Sequence, residues 1–531
     1  MNNSQRIEIA RAMISGWKIR IPDRVLITSF WIIFIFLFVT GFLLRVYRIP
    51  EYLTFLSDQG RDAIILKRLV TLEKLVFVGP TTSIGSVFTG PFYYYLVAPF
   101  MLLWRLDPSG PAYGVAIINS IGLGVISFAL YRLFGKAVSL LFLTVVTFSA
   151  TQILQSRFSW NPNPVPIFSF LTLIALYLGI AKKSIKWHAA AGMLLGFSLQ
   201  LHYLAVLLIP AMCTAYVVLH PKGQRGSKLN TLKNISTAAC AVITTFTPLI
   251  LFEIKNTFIN FQALLRARSA GEVLAQNTTY IDRLNETLSN LFVHALDWRL
   301  DPYEVAIVII TMVITALFAA WKSRRLCERY FTLSCVVVIV AHIMVFSFLE
   351  TGRHVHYYNV VFFPLYFLTS YVLVKTVQVL VTLPSLRRML YVVLFAVLLQ
   401  WSIAQLEKLP FLAEKTNRYS QIQKAQTVAK YVIRNLSSDT YQIVGLPYYE
   451  TIGHYRYFLE YYGKRPMSAE ALGDPDELFV ACLPPANKEP DCGIAGNPQW
   501  QIADFQNRHQ TWRVEQKEKV DDAIVYKLVK K

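Results

Sequence analysis

Roughly a dozen apolar stretches follow one another between residues 25 and 406, each separated from the next by a short polar gap. Few folds accept such a pattern. A water-filled surface would leave most of these stretches uncovered. Hydrocarbon accepts them if each closes its own backbone hydrogen bonds as a helix. Composition agrees: 54% of the 531 residues are hydrophobic, 16% are charged, and the mean hydropathy is +0.42. The first stretch, residues 25–44, carries no charge and is long enough to cross a bilayer. It lacks a small-residue cleavage site, so it reads as a retained helix, not a signal peptide.

The net charge of +20 does not point to nucleic acid, because the basic residues fall in the short gaps, where they set topology. Arg6, Arg11, Lys18, Arg20 and Arg24 place the N-terminus in the cytoplasm. The aromatic stretch 92–104, with Pro91 and Pro99, is short. Read as a juxtamembrane or re-entrant helix, it leaves the later basic gaps (132–136, 182–186, 222–233, 322–329 and 387–388) all inside. About eleven spans result, so a tail from residue 407 lies outside. Three parts are expected: a cytoplasmic segment 1–24, a membrane domain 25–406 with outer loops 45–110 and 255–303, and an extracytosolic domain 407–531. The long loop 255–303 calls for one or two amphipathic helices of its own. In the tail, residues 421–436 have helical spacing, while 441–446, 478–482 and 523–529 read as strands of a small α/β domain. Cys482 and Cys492 can pair if that domain faces an oxidising compartment.

Polar side chains able to do chemistry concentrate on the outer side. Asp58, Arg61 and Asp62 follow the first span, where an acid near lipid is costly without a partner or a task. Arg157, Asn161 and Asn163 lie in the second outer loop. Gln200, His202 and Tyr203 cap a helical hairpin, Glu253 ends the next span, and Arg353, His356 and Tyr357 open a later one. Each has a plainer reading: an i,i+3 ion pair for Asp58 and Arg61, an interfacial anchor for Arg157, and turn-shaping for the asparagines. Helix-end packing would account for His202, a local pair with Lys255 for Glu253, and an interfacial aromatic belt for Tyr93, Tyr94 and Tyr95. Taken together, an acid within reach of a hydroxyl proton and arginines fit to bind phosphate suit sugar transfer from a lipid phosphate. No Walker, dinucleotide or HExxH motif accompanies them.

The run Asp58-Gln59-Gly60-Arg61-Asp62, the segment Gly90-Pro91-Phe92-Tyr93-Tyr94-Tyr95, Tyr131-Arg132-Leu133-Phe134-Gly135 and Ser156-Arg157 together resemble the GT-C membrane glycosyltransferases. The resemblance is specifically to the family 39-like group, which includes protein O-mannosyltransferases and aminoarabinose transferases. It covers residues 25–406 and is weakest in the tail. It implies a polytopic α-helical GT-C fold with juxtamembrane helices, set in the cell (plasma or inner) membrane. It also implies an inverting transferase, with a polyprenyl-phosphate sugar as donor and a protein, lipid or glycan as acceptor. Asp58 would be the base or orienting carboxylate, with Arg157, His202 and Arg353 facing the donor. Two departures matter: Gln59 stands where an acid often follows the first Asp, and Asn161 or Asn163 where the second outer loop often has one. Both weigh against a metal held by two acidic loops, although asparagine can still coordinate a divalent ion. A transporter or flippase for a lipid-linked sugar is the alternative reading. It would place ionisable groups mid-span and show paired halves.

Overall fold

A computed structural model describes residues 23–82, 87–219, 227–270, 278–380, 384–413, 420–446, 452–467, 475–482, 512–521 and 523–530. Residues 1–22 of the expected N-terminal segment lie outside the described residues, as does Cys492. Cys482 is disulfide-bonded.

Among the described residues seven helices are long and apolar enough to cross a membrane, and the bent pair 229–255 makes an eighth. The chain is an integral membrane protein. Eleven spans require, in addition, the shorter helices Lys136–Phe148, Ile185–Leu201 and Leu208–Leu219. The first span is helix α1 (Asp23–Val46), followed by α2 (Ser57–Val70) and the Pro99-containing α3 (Phe92–Leu103). α3 is a short apolar helix of 12 residues with a proline inside it, the form expected of a juxtamembrane helix. Loop 255–303 carries the helices Ile259–Ala270 and α4 (Tyr280–Leu296). α4 opens with a capping box in which Thr279 accepts from Asp282 N–H and the Asp282 side chain accepts from Thr279 N–H.

The centre of the bundle is aromatic. Phe142, Phe170, Phe331, Phe363 and Phe367, drawn from four different stretches of apolar sequence, meet with ring centroids 5.4–6.2 Å apart. Each ring fills a notch between neighbouring helices, and such pairs contribute about 0.5–1.5 kcal/mol beyond area burial.

The two ends of the bundle differ. On one side Arg325 donates to Leu133 O at 2.5 Å, so two basic gaps predicted to share a face do meet. There the gaps also hold Glu328, a buried acid that charge counting passes over. It accepts from Tyr371 Oη at 2.8 Å and Lys375 Nζ at 3.0 Å, with Arg325 at 3.4 Å. All the expected outer segments and the tail gather at the other end.

The tail is a four-stranded sheet, β1 (Tyr441–Leu446), β2 (Glu477–Cys482), β3 (Trp512–Val520) and β4 (Ala523–Lys530), in the order β1-β2-β4-β3. β1 and β2 run parallel and the other pairs antiparallel. The helix Gln421–Arg434 precedes β1, and α5 (Gly453–Tyr461) lies in the β1–β2 crossover. Sequence reading found three strands and missed β3 and α5. β3 is an edge strand whose exposed Arg, Glu and Lys residues hide the strand pattern while blocking sheet-to-sheet association.

Removing the Glu328 carboxylate leaves Lys375 and Tyr371 without their acceptor. Glu328→Ala is expected to cost about 3 kcal/mol, read as a lower Tm in detergent; an unchanged Tm would show the cluster to be ornamental.

Candidate active site

α2 begins where the chain leaves the membrane, and its first turn arranges the acids. Gln59 folds back so that its Oε1 accepts the Leu56 N–H at 3.1 Å. The residue standing where an acid was expected is therefore a cap. Arg61 divides its donors: Nη1 reaches Asp58 Oδ1 at 2.9 Å, while Nε and Nη2 reach Asp62 Oδ1 at 3.0 and 2.9 Å. The two carboxylates differ sharply in setting. The Asp58 side chain is 52% exposed and that of Asp62 is 1% exposed. Tyr94 Oη donates to Asp62 Oδ1 at 2.8 Å, and Asp62 Oδ2 is buried with no hydrogen-bond partner. Burial raises the Asp62 pKa against the opposing pull of Arg61 and Tyr94. Asp62, expected among the substrate ligands, is sealed beneath the Arg61 guanidinium and supports it.

Beside this pair lies a cavity of about 280 Å³ lined by Arg61, Arg68, Lys74, Val76, Phe88 and Phe252 among others. Its walls are almost wholly apolar, and the cations belong to its lining. Tyr93 and Tyr94 correct the aromatic-belt reading. Both are fully buried, and Tyr93 Oη pairs with Ser159 Oγ at 2.5 Å; only Tyr95 is exposed.

The Tyr93–Ser159 contact leads into a second group. The Trp160 ring lies 4.5 Å from that of His356, which is 5.8 Å from His202 and 4.1 Å from Tyr357. Tyr203 stacks on His202 at 4.6 Å. Burial first, then His356 and His342, lowers the His202 pKa to about 3. His202 is therefore neutral at pH 7 and meets a ligand by hydrogen bonding, not by charge. Arg353 borders this group: Nη1 donates to Leu349 O at 3.0 Å and Thr351 O at 2.8 Å, and Glu286 lies 3.7 Å from Nε. Its Nε and Nη2 are buried and make no hydrogen bond. Burial lowers its pKa.

Several expected ligands are consumed by architecture. Arg157 donates to Leu44 O at 2.8 Å and Tyr47 O at 2.6 Å, with its guanidinium 3.7 Å over Phe411. It satisfies carbonyls at the end of α1, an architectural role beside the donor-facing one expected of it. Asn163 donates to Phe158 O at 2.9 Å and shapes its own loop. Asn161 donates to Leu201 O at 2.7 Å, tying that loop to the helical hairpin. Gln200 accepts from Phe92 N at 3.3 Å and donates to Thr245 O at 2.9 Å. Its side chain packs so closely on Gly90 that an added Cβ there would come within 2.2 Å of Gln200 Oε1. Glu253 accepts from Asn260 N at 3.2 Å and Phe261 N at 3.3 Å, a helix cap in place of the expected pair with Lys255.

Residues that sequence reading did not single out complete the second group. His294 Nε2 pairs with Arg353 O at 2.9 Å, and His342 is fully buried with neither ring nitrogen hydrogen-bonded. An ionisable residue inside an apolar span was the signal for His342; nothing in the local pattern marks His294. Among the described residues no group of three or more His, Cys, Asp or Glu is placed to hold a metal ion.

No protein-family model matches the chain, and no curated protein does. Solved structures do match. ArnT from Cupriavidus metallidurans, bound to undecaprenyl phosphate, is 12% identical, with a TM-score of 0.56 over 94% of this chain and 98% of that one. Its apo state matches over the same spans with a TM-score of 0.58. The chain has the GT-C fold. At this identity the GT-C likeness is one of architecture alone, and the residues must make their own case.

Because Arg157 ties the second outer loop to the end of α1, Arg157→Ala is expected to destabilise the protein by about 3 kcal/mol. A Tm series in detergent checks this. Loss of activity at an unchanged Tm would return Arg157 to the substrate site.

Proposed function

We propose that this protein is a membrane glycosyltransferase of the hexosyl- or pentosyltransferase kind, moving a sugar from a polyprenyl-phosphate carrier to an acceptor hydroxyl on the face that carries Asp58. The observation that carries the reading is the exposed Asp58 beside Arg61, next to an apolar cavity lined by cations. It occurs in a fold whose solved neighbour holds undecaprenyl phosphate. An apolar cavity of that size takes hydrocarbon readily, and Arg68 and Lys74 in its lining suit a phosphate.

In this scheme the acceptor oxygen attacks the anomeric carbon from the side opposite the phosphate. The carbon–oxygen bond to phosphate breaks, the polyprenyl phosphate departs, and the configuration inverts. Asp58 takes the hydroxyl proton, and Arg61 holds the carboxylate in place. Fixed cations meet the charge that develops on the leaving phosphate. The aromatic and histidine group around Trp160, His202 and Tyr357 offers ring faces and neutral hydrogen bonds, as a sugar requires. Arg353 supplies two further unbonded guanidinium nitrogens at its edge. The face concerned is the extracytosolic face of the cell membrane, with the N-terminus inside.

The test is transfer by the purified protein from undecaprenyl-phosphate-linked, isotopically labelled sugars to envelope extract. Asp58→Asn is expected to lower the rate by about 10²–10⁴-fold while stability stays within about 0.5 kcal/mol of wild type, since the side chain is exposed. An active Asp58→Asn protein would remove the mechanism. Movement of the labelled lipid across proteoliposomes without its consumption would favour a flippase.

A further inference from the structure

The tail grips the acid helix on both sides of Asp58. Upstream, Gln421 Oε1 accepts the Phe55 N–H at 2.6 Å, and Ser420 Oγ donates to Pro50 O at 3.3 Å. Downstream, α5 lies across α2 at backbone contact. A Cβ on Gly60 would stand 2.0 Å from His454 N, and one on Gly453 would stand 2.4 Å from Ser57 O and 2.6 Å from Arg61 N. Neither neighbour can yield, because both are main chain, so the crossing tolerates only glycine on each helix. Two helical turns beyond the crossing, the buried Glu460 accepts from Lys67 Nζ at 3.2 Å and from Arg68 Nε and Nη2 at 3.1 and 2.6 Å. Burial pushes the Glu460 pKa up, but Arg68 and Lys67 outweigh it and hold the carboxyl below its ordinary value, charged at neutral pH. Phe55 packs edge-on against Tyr457 and Phe458, and Tyr457 Oη donates to Leu106 O. Arg465 reaches Glu73 at 2.8 Å past the far end of α2.

We propose that Gly453 and Glu460 are positioning residues for the acid helix, making the C-terminal domain a structural part of the active site and not an appendage that only selects acceptors. The glycine crossing sets how deep α2 lies and how it is turned, and the Glu460 ion pairs stop it from rotating or sliding along α5. The direction in which Asp58 and Arg61 project follows from both. The catalytic consequence rests on the transferase reading; the clamp itself does not.

Two readouts on the full-length protein in nanodiscs separate these. The first is amide hydrogen exchange across residues 57–70, and the second is turnover of an undecaprenyl-phosphate-linked labelled sugar. Gly453→Ala is expected to speed exchange in α2 at least tenfold and to lower kcat at least tenfold, with the donor KM changed less than twofold. Glu460→Gln should shift both in the same direction by less, and stands in for Gly453→Ala should that variant not fold. Arg68→Glu combined with Glu460→Arg should bring exchange in α2 back toward wild type, which a merely destabilised tail would not do; turnover is not read in this variant, because Arg68 also lines the cavity. Unchanged exchange in Gly453→Ala and Glu460→Gln overturns the clamp whatever the protein's activity. Faster exchange at unchanged kcat overturns the positioning role. A wild-type protein that transfers nothing sinks the transferase reading and the catalytic half of this proposal, while exchange still decides the clamp.

Discussion

Burying the Asp62 carboxylate at the membrane edge would cost several kcal/mol were it left alone, and the site is built from what offsets that cost. Arg61 supplies two hydrogen bonds and Tyr94 a third, all to one oxygen. An arginine fork anchored by a buried acid has little freedom left, so its remaining nitrogen holds the exposed Asp58 at a set angle. Tyr94 stands next to Tyr93, and Tyr93 next to Ser159, so the same buried hydroxyls tie the acid helix to the second outer loop. Loss of the Asp62–Arg61 contact would release Asp58 from its tie to α3 and, through α3, to that loop.

Burial of this kind divides labour among residues that look alike in sequence. Arg61, Arg157 and Arg353 all follow a span on the same side. One orients an acid, one satisfies helix carbonyls, and one keeps two nitrogens unbonded beside a cluster of rings. Asp58 and Asp62 are one turn apart, yet a single helical face separates a solvent-facing carboxylate from a sealed one. Polar residues near a bilayer edge are as often structural as chemical, because the ends of membrane helices leave carbonyls and amides that water reaches poorly.

The class of protein, the short juxtamembrane helix, the sharing of one side by the polar clusters and three of the four tail strands were legible because each rests on a local or additive property. Apolar length, loop charge and residue alternation need no knowledge of partners. The outer-side grouping in particular came from counting Lys and Arg, and the contacts among 58–62, 93–94, 159–160, 200–203 and 353–357 agree with it. β3 escaped because an edge strand shows water a row of charged side chains, and Glu328 because loop charge was counted and not paired.

From the sequence alone came a polytopic helical membrane protein with its chemistry at one end and Asp58 as its foremost acid. Apolar periodicity and the energetic penalty on charge in lipid act on each segment separately, so they can be read in order along the chain. Only the tertiary structure decided which polar side chains are free. The carbonyls that occupy Arg157 and Asn161 and the backbone of Gly453 against Gly60 come from segments tens to hundreds of residues away. Hydrogen bonding saturates, and a donor already satisfied by a distant carbonyl looks, in one dimension, the same as one still waiting for a ligand.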